Sequence, residues 1–372
     1  MKFVLEIRPF GNQCNRFCPH CYQYRKDTKI INELQIDDLN RFIIELKKYL
    51  NSEGFTSLKI VFHGGEPLID EGKWITAAHD MISNHFVDDL HLNFLLHTHG
   101  FYSESILTPL IERSIGFGVS FALPNEGQVQ IEDIPPAISI IADRHLLYSV
   151  QIVMNSKTFI DPLPLSSLFE ILPPDLIIKF IPYMGIKKVD NVFLSPELYS
   201  KKLIQISQYY EKTVIWNKFF IEPISWCRQA STNNNYEQFK GCRFNAAECN
   251  LKNNIFVTAA IDYDGTIYSC NRFAGIQKYP ISHINEKNWS KYAQKNIKIL
   301  NKKYYSFDIT MNNCELCNAH FYKLCCGGGG CPFHAIFCHN TNSIDLFCEG
   351  EKALAKYYER SIKRNLGETP DS

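Results

Sequence analysis

Three cysteines, Cys14, Cys18 and Cys21, fall within the octapeptide CNRFCPHC. With three and then two intervening residues, their thiolates can converge on one small cluster, and iron–sulfur clusters take cysteine ligands from short runs of this kind. A zinc site favours CxxC pairs with a fourth ligand nearby, and His20, directly beside Cys21, is too close to serve easily. Three thiolates on a four-iron cluster leave one iron open for a substrate or cofactor. Eleven further cysteines lie between Cys227 and Cys348, and none lies from 22 to 226. A disulfide framework would not leave so long a stretch bare, so metal or redox chemistry in a reducing compartment is the reading.

The elements that must position this loop follow from periodicity. Short runs rich in β-branched and aromatic residues at 2–7, 58–63, 92–98, 117–123, 148–154 and 176–183 read as strands. Helical patterns lie between them, at 34–50, 71–86, 103–115, 136–146 and 163–173. In the first helix Asp37 and Asp38 stand near the start, and Lys47 and Lys48 near the end, which suits the helix dipole. Strand–helix alternation implies a parallel sheet with right-handed crossovers. Six such units predict an α/β fold, a partial (β/α)6 TIM-like barrel over 1–185 rather than eight closed units. A bridging helix and linker are expected over 186–239, a cysteine-rich domain over 240–350, and a helix and tail over 351–372.

Lys and Arg total 39 and Asp and Glu total 39, so no global field points to nucleic acid or an anionic membrane. No apolar run reaches the length of a spanning helix, and MKFVLEIRPFG lacks the h-region and cleavage site of an export signal. A soluble, cytoplasmic protein is expected.

Sites in parallel α/β proteins sit at the carboxyl ends of strands, where the run 2–7 delivers the cysteine loop. The CxxxCxxC spacing after a first strand resembles the signature of the radical S-adenosylmethionine (AdoMet) superfamily. There the methionyl amino and carboxylate groups chelate the open iron, and reductive cleavage yields a 5′-deoxyadenosyl radical that takes a hydrogen atom from substrate. FHGGEP (62–67), after the second strand, resembles that family's GGEP loop. Gly64 and Gly65 let backbone approach a ligand closely, and Glu66 can pair with the methionyl ammonium. By the same resemblance His20 lies near the adenine, Thr98-His99-Gly100 follows strand three, and Ser120 and Asn155 occupy positions that touch the AdoMet carboxylate or ribose. A strand-end role satisfying backbone groups is the alternative for each. Strand four departs from the family's Ser-x-Asp-Gly, reading SFALPNE.

The later cysteines resemble the SPASM extension of radical AdoMet peptide maturases, which binds two auxiliary four-iron clusters. That resemblance assigns Cys242, Cys249, Cys270 and Cys331 to one cluster. It assigns Cys314, Cys317, Cys326 (or Cys325) and Cys348 to the other. A zinc ribbon would account for CELC (314–317) but not for the whole set. Cys338 reads as a packed thiol. Cys227 stands in a region from which some peptide epimerases of the superfamily supply a hydrogen-atom donor.

Three [4Fe–4S] clusters and AdoMet are therefore the expected cofactors. The resemblance implies a ribosomally made precursor peptide as substrate and a flavodoxin- or ferredoxin-type electron donor. No leader-binding domain is seen before the barrel, so a leader would dock on a barrel or SPASM edge or on a separate protein. The reaction expected is a carbon–carbon, carbon–oxygen or thioether cross-link. Alternatives are epimerisation with Cys227 as donor, and formylglycine formation. Against the last, Asn271 stands where sulfatase maturases carry an Asp base, and an amide cannot accept the proton. A non-catalytic iron–sulfur carrier is the reading from a different class.

Overall fold

The computed structural model describes residues 1–16, 18, 21, 32–87, 89–122, 134–154, 169–170, 172–182, 196–212, 218–222, 224–225, 250–253, 255–305, 353–354, 356–358 and 360–361. Two compact units partition the chain. The first comprises Met1–Phe121, Pro135–Ser149 and Glu248–Lys302; the second comprises Ala122–Ile134, Val150–Ala247 and Lys303–Ser372.

In the first unit β1 (Lys2–Ile7), α1 (Ile36–Ser52), β2 (Ser57–Phe62), α2 (Lys73–His85), β3 (His91–Thr98), α3 (Glu104–Glu112) and β4 (Gly116–Ala122) alternate as expected. After α4 (Ala137–Ala142) the chain enters β5 (Leu147–Met154). Strands β1 to β4 pair in parallel and in chain order, with Leu5 opposite Ile60, Ile60 opposite Phe94 and His97 opposite Gly118. Both sheet faces are filled, the condition under which parallel strands are stable. Phe3, Leu5 and Ile7 alternate with Val4, which packs with Val61 and Leu95 on the other face. Helix α1 buries Leu39, Phe42, Ile43, Leu46 and Leu50, a stripe at helical spacing. It ends at Ser52, so Lys47 and Lys48 stand a turn short of its end and no basic side chain faces the last carbonyls. Lys47 instead donates to His85 O at 2.7 Å and pairs with Asp89.

The sequence reading did not anticipate that part of the cysteine-rich region extends this sheet. After α6 (Asn250–Asn253), β8 (Thr258–Ile261) pairs in parallel with β1, placing Ala260 opposite Glu6. Asp264-Gly265 then turns the chain into β9 (Thr266–Tyr268), with Gly265 at φ +83° and Asp262 N–H donating to Thr266 O at 2.9 Å. Next come α7 (Asn271–Gly275), β10 (Ser282–His283), which pairs with β9, and α8 (Trp289–Tyr305). Helix α8 is held to α1 by Trp289, whose ring lies 4.8 Å from Phe42 and 5.5 Å from Tyr49.

In the second unit β6 (Leu176–Pro182) and β7 (Phe219–Glu222) pair in parallel. Helix α5 (Pro196–Tyr210) is the helix expected after the barrel; Tyr199, Leu203 and Ile206 are buried, and Tyr199 donates to Phe180 O at 3.3 Å. Most of the helix expected at 163–173 lies outside the described residues. Among the described residues no helix is long and apolar enough to cross a membrane.

Candidate active site at the carboxyl ends of β1, β2 and β3

Beyond Ile7 the chain turns at Phe10–Gly11, with Gly11 at φ +58° and Gly11 N–H donating to Arg8 O at 3.1 Å. Gln13 then clamps the cysteine loop shut. Its Nε2 donates to Phe10 O at 2.9 Å and to Asn32 O at 2.5 Å, while its Oε1 accepts Asn32 N–H at 3.1 Å. Residues 13 and 32 bracket the segment holding Cys14, Cys18 and Cys21. All three carry thiols outside any disulfide; Cys14 and Cys18 are half-buried and Cys21 is exposed. Arg16 N–H reaches Cys14 Sγ at 3.4 Å, and Cys21 N–H donates to Cys18 O at 3.1 Å.

The loop after β2 lies directly on this clamp. Gly65 N–H donates to Gly11 O and Glu66 N–H to Gln13 O, both at 2.8 Å. A Cβ on Gly65 would stand 2.5 Å from the Gln13 carbonyl carbon and nearer still to its oxygen; one on Gly64, where φ is +131°, would stand 2.7 Å from Gly11 O. The glycine pair thus brings the two loops into backbone contact that no side chain permits.

Glu66 points inward and is 1% exposed. Its Oε1 accepts Leu68 N–H at 3.0 Å and Thr98 Oγ1–H at 2.9 Å, and its Oε2 accepts His99 N–H at 3.1 Å. The Tyr102 hydroxyl also bonds to this carboxylate. Burial outweighs these donors and raises its pKa to about 7. The loop after β3 therefore completes the site. Phe101 N–H donates to His99 Nδ1 at 3.0 Å, so the hydrogen resides on Nε2, which lies 2.9 Å from Asn15 Oδ1 and 3.3 Å from Glu66 Oε2. Burial and Arg16 lower the His99 pKa to about 4, so the imidazole is neutral and its 3.3 Å approach to Glu66 is not an ion pair. Tyr102 stacks on His99 at 4.8 Å, and Arg16 sits 3.7 Å above the Phe101 ring.

Beneath these loops Arg8 is fully buried. It pairs with Asp262 at 3.2 Å, donates to Asn271 Oδ1 at 2.9 Å and bonds Asn12. Asn12 Nδ2 continues to Gly275 O at 3.0 Å. The root of the cysteine loop is thereby tied to the turn carrying Cys270, which is half-buried. Asn271 Oδ1 at this turn accepts a hydrogen bond from the Arg8 guanidinium. Arg8 is missed by sequence reasoning; a basic residue directly after the first strand, KFVLEI, is the one local signal for it.

Of the sequence-derived site residues, Gly64, Gly65 and Glu66 lie on the loop that packs against the one carrying Cys14, Cys18 and Cys21. Ser120 is half-buried on β4, on the face carrying Gly118. His20, Asn155, Cys227, Cys242, Cys249, Cys314, Cys317, Cys325, Cys326, Cys331, Cys338 and Cys348 lie outside the described residues. Among the described residues no three His, Cys, Asp or Glu side chains are grouped to hold a single metal ion. Three thiols on one clamped loop, with a buried carboxyl raised towards neutrality on the loop packed against it, are donor types that an iron–sulfur cluster and an ammonium-bearing ligand take.

No family model and no curated protein sequence matches the chain. Solved structures do. Native anSMEcpe with bound AdoMet and Cp18Cys peptide superposes with a TM-score of 0.71 at 18% identity, covering 98% of this chain and 100% of that one. Its complex with AdoMet and Kp18Cys peptide gives 0.70 at 19% identity, covering 99% of each chain. Streptococcus suis SuiB bound to precursor peptide SuiA gives 0.57 at 14% identity, covering 92% of this chain and 74% of that one. At such identities the likeness is one of fold, and this chain has the α/β fold that anSMEcpe and SuiB share.

Proposed function

We propose that the protein is a radical AdoMet enzyme of the SPASM type that modifies a peptide. The observation that carries this reading is the contact between the three-thiol loop and the Gly64-Gly65-Glu66 loop, on a fold shared with proteins solved with AdoMet and with peptides bound. Cys14, Cys18 and Cys21 would hold the AdoMet-binding cluster. Cys242, Cys249, Cys270 and Cys331 would hold one auxiliary cluster, and Cys314, Cys317, Cys326 and Cys348 the other. When bound, the first cluster and AdoMet supply reductive carbon–sulfur cleavage and the adenosyl radical that removes a substrate hydrogen atom.

The chain's own residues bind and orient. Glu66, with a pKa near 7 from burial, ionises when an ammonium group arrives, because an opposite charge favours the carboxylate. Thr98, Leu68 and His99 fix its two oxygens, so the acceptor is oriented before ligand arrives. His20, Ser120 and Asn155 would contact the adenine, carboxylate and ribose. Selectivity then depends on holding one substrate hydrogen in reach, since positioning dominates such steps.

Within this class we favour cross-linking of a precursor peptide. Epimerisation through Cys227 is the alternative reaction. Asn271, already accepting from Arg8, supports neither proton abstraction nor formylglycine formation. Anaerobic reconstitution followed by an iron count and assay for 5′-deoxyadenosine tests the reading. About twelve irons per chain and cleavage of AdoMet are expected. Replacing Cys14, Cys18 and Cys21 with Ala should remove about four irons and abolish cleavage; retained cleavage would refute the assignment. With a precursor peptide, cross-linking loses two hydrogens, whereas epimerisation in deuterated water adds one deuteron without net oxidation.

A further inference from the structure

Helix α8 carries an imbalance that the neutral chain as a whole does not. Residues 285–305 contain six lysines and one acid, Glu286, a net charge of +5 by subtraction. Trp289, Ala293 and Ile297 form its buried face, and Asn296 and Asn301 anchor it by donating to Ile281 O at 2.8 Å and Leu251 O at 2.5 Å. The opposite face presents Lys291, Lys295 and Lys298, all exposed, at i, i+4 and i+7. Among the described residues no carboxylate lies within ion-pair distance of these three, in contrast to Lys47 and Lys48, which pair with Asp89 and Glu45. Beside the stripe stand Tyr292 and Ile299, 48% and 50% exposed and one heptad apart. A rigid helix thus displays a row of cations flanked by two apolar anchors.

We infer that this face of α8 is a docking surface for an acidic, amphipathic segment of the precursor peptide. The inference rests on the peptide-modifying reading above. Charge complementarity sets the sign of the partner, and the Tyr292–Ile299 spacing matches the anchors of a docked helix. Through Trp289 the helix packs on α1, on the layer that flanks the sheet rather than on the loops at the strand ends. That place suits a tethering segment of the substrate, which raises the effective concentration of the reacting part without touching the chemistry. Two exposed apolar residues offer too little area to embed the helix in a bilayer, since Trp289 and Ile297 already face inward.

The test uses the full-length, iron-reconstituted protein at low ionic strength. The probe is a fluorescein-labelled synthetic helix with Glu at i, i+4 and i+7 and Leu one heptad apart, read by fluorescence anisotropy. Charge reversal by Lys291→Glu, Lys295→Glu and Lys298→Glu together should weaken binding about tenfold or more. Tyr292→Ser with Ile299→Ser should weaken it about fivefold at an unchanged salt dependence. Neither variant should alter peptide-independent AdoMet cleavage. Loss of less than threefold in the charge-reversed variant overturns the inference, as does absence of binding by the unaltered protein. So does tighter binding of an equally charged oligonucleotide or of anionic phosphatidylserine vesicles than of the peptide. If the unaltered protein fails to cleave AdoMet, the functional reading fails; if it cleaves AdoMet and the peptide result is negative, only the docking surface fails.

Discussion

Gly65→Ala is the sharpest test of how the two loops make the site. The new methyl group would begin 2.5 Å from the Gln13 carbonyl carbon, about 1 Å inside an ordinary van der Waals contact. Gln13 cannot retreat, because its side chain fastens both ends of the cysteine loop. The GGEP loop must therefore lift, stretching the Gly65–Gly11 and Glu66–Gln13 hydrogen bonds, each worth about 1 kcal/mol. Steric strain adds about 1–3 kcal/mol. Glu66 moves with the loop, and a charge-assisted hydrogen bond to an ammonium group is worth about 1.5–3 kcal/mol. Taking about 2 kcal/mol as lost, AdoMet binding should weaken about thirtyfold. Equilibrium dialysis on the anaerobic, iron-loaded protein measures this, with the iron content confirming that the three cysteines are intact. Gly54→Ala is the control for backbone strain without a loop collision, since φ there is +70° but nothing lies within 4 Å of a Cβ. AdoMet affinity within threefold of the unaltered protein, at unchanged iron content, would refute the reasoning.

Two further outcomes follow from buried charge. His63 has its pKa lowered to about 3, by burial and then by Arg8, and His99 to about 4, whereas Glu66 is raised to about 7. Between about pH 6.5 and 4.5 the unfolded chain binds protons at both imidazoles that the folded state refuses, costing about 1.4 kcal/mol per pH unit for each; Glu66, protonated first in the folded state, returns about 1.4. Urea unfolding of the apoprotein should therefore lose stability on acidification across that window, on the order of 1 kcal/mol per pH unit, and His63→Gln should flatten the slope. An unchanged slope in His63→Gln would contradict the assignment. Arg8→Met should destabilise by about 3–5 kcal/mol, because Asp262 is left buried and unpaired. Adding Asp262→Asn should recover part of that loss; a double variant no better than the single one would show that the ion pair is not the cause.

Much of the first unit was legible because its strands carry a local signal. Strands β1 to β5, and β6 in the second unit, lie within one or two residues of their sequence-derived ranges, since β-branched runs bounded by polar turns declare themselves. The β8–β9 hairpin has a signal too, Asp264-Gly265 between short apolar runs. That β8 would pair with β1 is not written locally, because the partners lie some 250 residues apart; Arg8 and Asp262 are separated by 254. The site divides in the same way. The cysteine spacing and GGEP loop are short motifs and were found. The Gln13 clamp spans 19 residues within one loop, and the Asn15–His99–Tyr102 contacts depend on the loops after β1 and β3 meeting, so no short motif encodes either.

The proposal turns on Cys14, Cys18 and Cys21 holding a cluster with one open iron to which AdoMet would bind. Electron paramagnetic resonance of the dithionite-reduced, anaerobically reconstituted protein tests it most directly. Addition of AdoMet should shift the signal of one cluster in the unaltered protein, and the shift should vanish when the three cysteines are replaced by Ala. Identical spectra with and without AdoMet in the unaltered, fully iron-loaded protein would contradict the account.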